Sequence, residues 1–270
     1  MRGRVQQLVK LTAAGADALR RPGGLVVVIY HRVGGHTPVS VDLPRPLFAE
    51  QLAALAAGWA PATLDAAVGL LTAPAAPPGP PPVCVTFDDG TADFVDEALP
   101  ELVAQRIPAT LYVATDHVEA GRAFPDDGRP VSWAGLRDAL STDLVTIGSH
   151  THTHRLLDRV DGSQAAGELD RSIKLIEDRL GVACHHFAYP KALPGSPAAE
   201  QEVRRRFRTA ALAGTRPNPY GRTDLHRLHR SPVQVGDGMR WFRRKASGGL
   251  GLEDDLRALL NRRRYAGTVT

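Results

Sequence analysis

The stretch VTFDDGTADF, Val85 to Phe94, decides how this chain is read. A β-rich run, Val83 to Phe87, ends abruptly in two carboxylates and a glycine. Adjacent aspartates repel each other and lose hydration if covered, so a fold that places Asp88 and Asp89 at a strand end needs a positive charge beside them. The rest of the chain has to supply the other half of that site.

Working outward, short apolar runs alternate with helical patterns. Gly24 to Tyr30 (GLVVVIY) is rich in β-branched residues, as in a strand buried on both faces. Pro46 to Trp59 and Thr63 to Leu71 carry helical spacing, and the proline-rich TAPAAPPGPPP, Thr72 to Pro82, fits only a stiff surface connection. After the aspartate strand, Thr91 can cap a helix carrying Phe94, Ala98, Leu99 and Leu102. Strands are expected at Ala109–Val113, Leu144–Gly148, Cys184–Tyr189, Thr209–Ala213 and His226–Val235. Helices are expected at Trp133–Leu140, from Ser163 through Leu180, at Glu200–Phe207 and at Leu252–Arg263. This alternation predicts an α/β fold, a barrel of about seven parallel strands, with chemistry on loops at the strands' C-terminal ends.

A second strand end supplies the missing half. IGSHTHTHRLL, Ile147 to Leu157, alternates three histidines with threonines. On a strand His150, His152 and His154 share a face; on a turn only His150 and His154 converge. Two neutral imidazoles and one carboxylate make a half-closed site for a divalent metal, with positions left for water and substrate.

Together these motifs resemble the polysaccharide deacetylase family with the NodB-like domain. VVVIYHRVGG resembles its opening strand, FDDGTADFVDEALPELVAQRIPATLYVAT its first catalytic segment, HFAYPKALPG its third motif in the FAYP variant, and HRLHRSPV its late strand with an arginine. The similarity covers about residues 24–265. It implies a deformed (β/α) barrel that removes acetyl groups from amino sugars or other N-acetylated saccharides, using one divalent ion, zinc being the expected one. It also implies that Asp88 is the general base and that Asp89, His150 and His154 are the metal ligands, with His152 a non-ligand. A bound cation can polarise an amide carbonyl and acidify water while a neighbouring carboxylate takes the proton. For the general acid, His229 of the late strand is preferred, with His226 and then His31 as alternatives. The sequence departs from the family pattern at Ala188, where an arginine often orients the base, and at Thr91, Lys191 and Ala192. An O-acetyl esterase, another amidohydrolase, or a catalytically silent carbohydrate binder are the competing readings; a free carboxylate beside the ligand set favours catalysis over binding alone.

Bulk properties agree. The 270 residues suffice for one large domain, and a net charge of +4 with arginines at 204–206, 243–244 and 262–264 is expected on solvated helix faces rather than on nucleic acid. The two cysteines, Cys84 and Cys184, sit in apolar stretches and are expected as reduced core thiols. Residues 1–23 are expected to form an amphipathic helix ahead of a barrel domain at 24–270, with Val5, Leu8, Val9, Thr12, Ala16 and Leu19 on one face. They contain no secretory apolar core and no stretch of about 18 apolar residues follows anywhere. The expectation is therefore a cytoplasmic protein without a transmembrane segment, the alternative for that helix being a peripheral membrane contact.

Overall fold

The computed structural model describes residues 23–250. The expected N-terminal helix and the expected helix at Leu252–Arg263 lie outside those residues. Within them the elements follow as β1 (Val26–Tyr30), β2 (Arg32–Val33), β3 (Asp42–Leu43), α1 (Arg45–Gly58), β4 (Ala60–Pro61), α2 (Leu64–Thr72), β5 (Pro82–Phe87), α3 (Leu99–Gln105), β6 (Ala109–Val113), α4 (Thr115–Ala120), α5 (Trp133–Leu140), β7 (Val145–Ser149), α6 (Gly162–Leu180), β8 (His186–Ala188), α7 (Pro197–Arg206), β9 (Thr209–Ala211), β10 (Ser231–Pro232) and α8 (Gly238–Ala246).

Seven parallel strands lie in the order β10-β1-β5-β6-β7-β8-β9, with β4 added along the start of β5. The sheet curls until β9 meets the residues just before β10 through one parallel bridge, Ala211 to Leu228. The result is a deformed barrel with one thin seam.

Strand alternation sorts the core into two layers. Val26, Val28 and Tyr30 of β1, with Val83, Val85 and Phe87 of β5, face the helices and pack on Phe48, Leu52, Leu55 and Leu102. Phe87 lies against Tyr30 and Phe48 at centroid separations of 5.4 and 5.9 Å, within the range where aromatic pairs attract. The opposite faces send Leu25, Val27, Cys84, Tyr112, Ala188, Ala211 and Leu228 into the barrel, where α2 adds Leu64, Ala67 and Leu71. Both cysteines are buried and free.

Local signals explain most helix starts. The side chains of Thr63, Ser132, Asp161 and Ser196 each accept a hydrogen bond from the first turn of α2, α5, α6 and α7. Two expectations are corrected and one element was not anticipated. Thr91 does not cap a helix; the chain passes through a π-turn at Phe94–Ala98 before α3. The late strand is not His226–Val235 but only Ser231–Pro232, because Asp224 caps a 3-10 turn at Leu225–Arg227 and Pro232 has no N–H to extend the ladder. The short helix α4 carries too few residues to show a period, and the sequence reading passes over it.

Candidate active site

Asp88 and Asp89 leave β5 on the rim formed by the strands' C-terminal ends. Tyr30 of β1 stands level with Phe87, and its carbonyl accepts from Asp88 N–H at 3.1 Å. Asp89 adopts φ = 73°, a left-handed conformation that costs energy for a residue with a side chain. The next residue must turn as sharply. Gly90, at φ = 93°, does so where an added Cβ would meet Val113 Cγ1 at 3.0 Å. The turn is held by Ala114 N–H donating to the Asp89 carbonyl at 3.0 Å. Backbone strain of this kind aims the second carboxylate across the rim.

Across the rim, β7 ends at Ser149 and the histidine stretch turns rather than extends. Thr151 and His154 both take left-handed φ, 65° and 61°. Glu168 of α6 holds this turn, accepting from His152 N–H at 3.1 Å, from Thr153 N–H at 2.8 Å and from the Thr153 hydroxyl at 2.9 Å. Asp89, His150 and His154 thereby bring three donor atoms within 4.8 Å of one another. His150 Nε2 and His154 Nε2 lie 3.5 and 3.3 Å from Asp89 Oδ1. A tetrahedron with metal–ligand bonds of about 2.0–2.1 Å has edges of about 3.3–3.4 Å, so this donor set fits a zinc-like ion. His150 Nδ1 lies 2.8 Å from the Ala188 carbonyl, which can only accept, so Nδ1 carries the proton and Nε2 offers its lone pair. Burial holds His154 below the ordinary histidine range, keeping it neutral and able to coordinate.

The middle histidine points elsewhere. His152 Nδ1 bonds the Thr115 hydroxyl at 2.9 Å, and Nε2 faces Asp116 of α4 at 3.8 Å.

Asp88 is held differently from its neighbour. Arg230 Nη1 and Nη2 donate to its two carboxylate oxygens at 2.6 and 2.8 Å, a bidentate pair between residues 142 apart in sequence. Arg230 also donates to Thr86 Oγ1 and, from Nε, to the Leu212 carbonyl, both at 3.2 Å. Its side chain is fully buried and that of Asp88 is 7% exposed. Burial pushes the Asp88 carboxyl up, but the Arg230 charge and hydrogen bonds, with His150 and His31 farther off, more than offset this and leave it below the usual carboxylate range. Asp89, also raised by burial, is drawn well below the usual carboxylate range by the neighbouring His150 and His154 rings. Ala188 therefore does not leave the Asp88 carboxylate unheld: the late strand supplies the guanidinium. A lone arginine inside the apolar run LHRSPV was the available signal for this, and the sequence reading used it only as a family marker.

The preference for His229 as general acid is corrected. Leu228 and Arg230 both face the barrel interior, so alternation turns His229 the other way. Its ring stands over Gly214, where an added Cβ would meet Nδ1 at 2.3 Å, and Asn218 holds its backbone on both sides at 2.9 Å. His226 is also placed away, with Nε2 on the Phe207 carbonyl at 2.8 Å. His31, the third choice, comes directly after β1 and alongside Asp88. Its charge acts on both aspartates, and its buried Nδ1 has no hydrogen-bond partner among the described residues.

Residues 75–205 match the family model described as polysaccharide deacetylase. Among solved structures, the chain is similar to IcaB from Ammonifex degensii at 26% identity and a TM-score of 0.70, over 83% of this chain and 97% of that one. It shares its fold with the Streptococcus pyogenes deacetylase PplD in complex with acetate, at 18% identity and TM-score 0.74, over 83% of this chain and 99% of the other. It also shares it with the BpsB deacetylase domain from Bordetella bronchiseptica, at 22% and 0.64, over 77% and 95%. No curated protein matches.

Proposed function

We propose, from the match of residues 75–205 to the polysaccharide deacetylase family model and the likeness to IcaB, that the chain is a polysaccharide deacetylase: a metal-dependent hydrolase releasing acetate from an N-acetylated saccharide. The observation that carries this reading is the division of labour between neighbours: Asp89 joins two histidines, while Asp88 is kept out of that cluster by Arg230.

Asp89, His150 and His154 would hold a divalent ion, which would supply the positive charge to polarise an amide carbonyl and acidify water. The protein's own residues do the rest. Asp88, ionised well below neutral pH, accepts the proton of the attacking water, and Arg230 fixes which oxygen lone pairs face it. Arg230 occupies both carboxylate oxygens from one side and leaves their other lone pairs for the reaction. His31 supplies the proton that the departing amine needs, since an amine anion is a very poor leaving group. Its place directly after β1, on the rim from which Asp88 and Asp89 leave β5, favours it over His229, whose ring stands over Gly214, and His226, whose ring bonds the Phe207 carbonyl. The carbonyl of Ala188, by fixing the His150 tautomer, keeps that ligand's lone pair in the site at every pH where the ring is neutral.

The test is acetate release by purified protein across N-acetylated oligosaccharides, monosaccharides and nucleotide sugars, with O-acetylated sugars alongside. Release from N-acetyl substrates that stops with chelator and returns with added zinc supports the reading. Chelator-resistant release, or release from O-acetyl sugars alone, overturns it.

A further inference from the structure

Four of the five Arg230 guanidinium N–H groups are engaged at its edges, by Asp88, Thr86 and Leu212, but edges alone leave a planar group free to rock about its long axis. Its Cζ stands over the ring of Tyr112, 5.0 Å from the ring centroid. That is within the distance at which a cation and an aromatic face attract, and arginine stacks on such faces well. Tyr112 is fully buried among the apolar residues that fill the barrel. It stands level with Gly148 of β7, where a Cβ would meet the tyrosine ring at 2.7 and 2.9 Å, so β7 makes room for the ring by carrying no side chain there. The phenol oxygen is buried and has no hydrogen-bond partner among the described residues. The hydroxyl is therefore not what the surroundings are built around; the ring face is.

We propose that Tyr112 is a positioning residue, whose ring fixes the plane of the Arg230 guanidinium and, through it, the aim of the Asp88 carboxylate. The inference rests on the deacetylase reading for what Asp88 does, but the contact itself does not depend on it. Three consequences separate this role from ordinary core packing. Tyr112→Phe keeps the face and loses only the unpartnered hydroxyl, so it should retain kcat. Tyr112→Leu keeps apolar bulk without the face, so kcat should fall by roughly 10- to 100-fold, the scale of a misaimed reacting group, with KM little changed. Leu102→Ala, a cavity in the layer under the helices, should lower Tm without that loss of kcat.

The experiment measures kcat, KM, Tm and bound zinc for these three variants beside the unmodified enzyme. It adds proton–nitrogen spectra of the arginine side chains, in which the Arg230 Nε–H signal is identified by its disappearance in Arg230→Lys. A ring-shifted, sharp Arg230 signal in the unmodified protein and Tyr112→Phe, displaced and broadened in Tyr112→Leu, is the expected result. Equal kcat loss in Tyr112→Phe and Tyr112→Leu, full kcat in Tyr112→Leu, an equal kcat loss in Leu102→Ala, or an Arg230 signal indifferent to Tyr112→Leu would each overturn the proposal. Failure of the unmodified protein to release acetate from any substrate would count against the deacetylase reading instead, and the spectra would still uphold or overturn the contact.

Discussion

Replacing Arg230 by methionine keeps an apolar stem of similar reach and removes the guanidinium. Asp88 then has no bidentate partner, in a place where its side chain is 7% exposed. Breaking a buried ion pair from one side costs about 3–5 kcal/mol, because the remaining charge is left unpaired. For a domain of about 150–250 residues each kcal/mol moves Tm by roughly 2–4 °C, which gives a loss on the order of 6–20 °C at neutral pH. The pH dependence has a definite sign. In the unmodified protein the Asp88 carboxyl lies below its ordinary value, so its contribution is complete above about pH 4 and fades as pH falls through the folded-state value. In Arg230→Met the leading influence is burial, which pushes the carboxyl up, so the variant takes up a proton and sheds its penalty as pH drops. The gap between the two proteins is therefore widest near pH 7 and narrows toward pH 4. Thermal unfolding of both proteins across that range, with chelator present throughout, reads this directly. A variant as stable as the original at pH 7, or a gap that widens on acidification, would refute the buried-pair reasoning.

The remaining predictions concern the chemistry. His150→Ala should lose most bound zinc by metal analysis, whereas His152→Ala, whose ring faces Thr115 and Asp116, should keep it. Asp88→Asn should bind zinc at full stoichiometry while kcat drops by about 100-fold or more in acetate-release assays. His31→Gln, which keeps polarity but has no proton to give, should lower kcat by about 100-fold with zinc retained, and His229→Gln should leave kcat within about two-fold of normal.

Much of this architecture was legible because its signals are local. The β-branched run before Tyr30, the Trp133–Leu140 helix and the apolar spacing from Leu169 to Leu180 each announce themselves within one element. The two halves of the Asp89, His150 and His154 cluster were equally legible as short motifs at strand ends, while the choice of these three within them came from the family resemblance. What escaped depends on partners distant in sequence. Arg230 meets Asp88 only because β10 pairs beside β1 and β1 beside β5. The choice between His229 and His31 turns on which way one residue of an irregular strand faces, and a one-residue error in alternation reverses the answer. Glu168 carries no motif of its own, and its part in the site exists only once the histidine turn folds onto it.

The seam of the barrel carries a consequence for how the protein fails. Between β9 and β10 there is no regular ladder. Leu228 exchanges bonds with Ala210 and Leu212, Gly214 N–H reaches the Arg230 carbonyl, and Arg230 Nε reaches the Leu212 carbonyl. The residue that steadies the Asp88 carboxylate is thus also one of the stitches that close the wall. Segments with few shared bonds open at lower free energy than the strands around them. Opening this seam alone would free Arg230 Nε from the Leu212 carbonyl while β10 stays paired to β1, so the guanidinium keeps Asp88 but loses the bond that ties it to the far wall. On gentle heating, hydrolytic activity should therefore decline reversibly while circular dichroism still reports an intact fold, with amides of residues 210–214 and 228–230 exchanging with solvent well before those of β6.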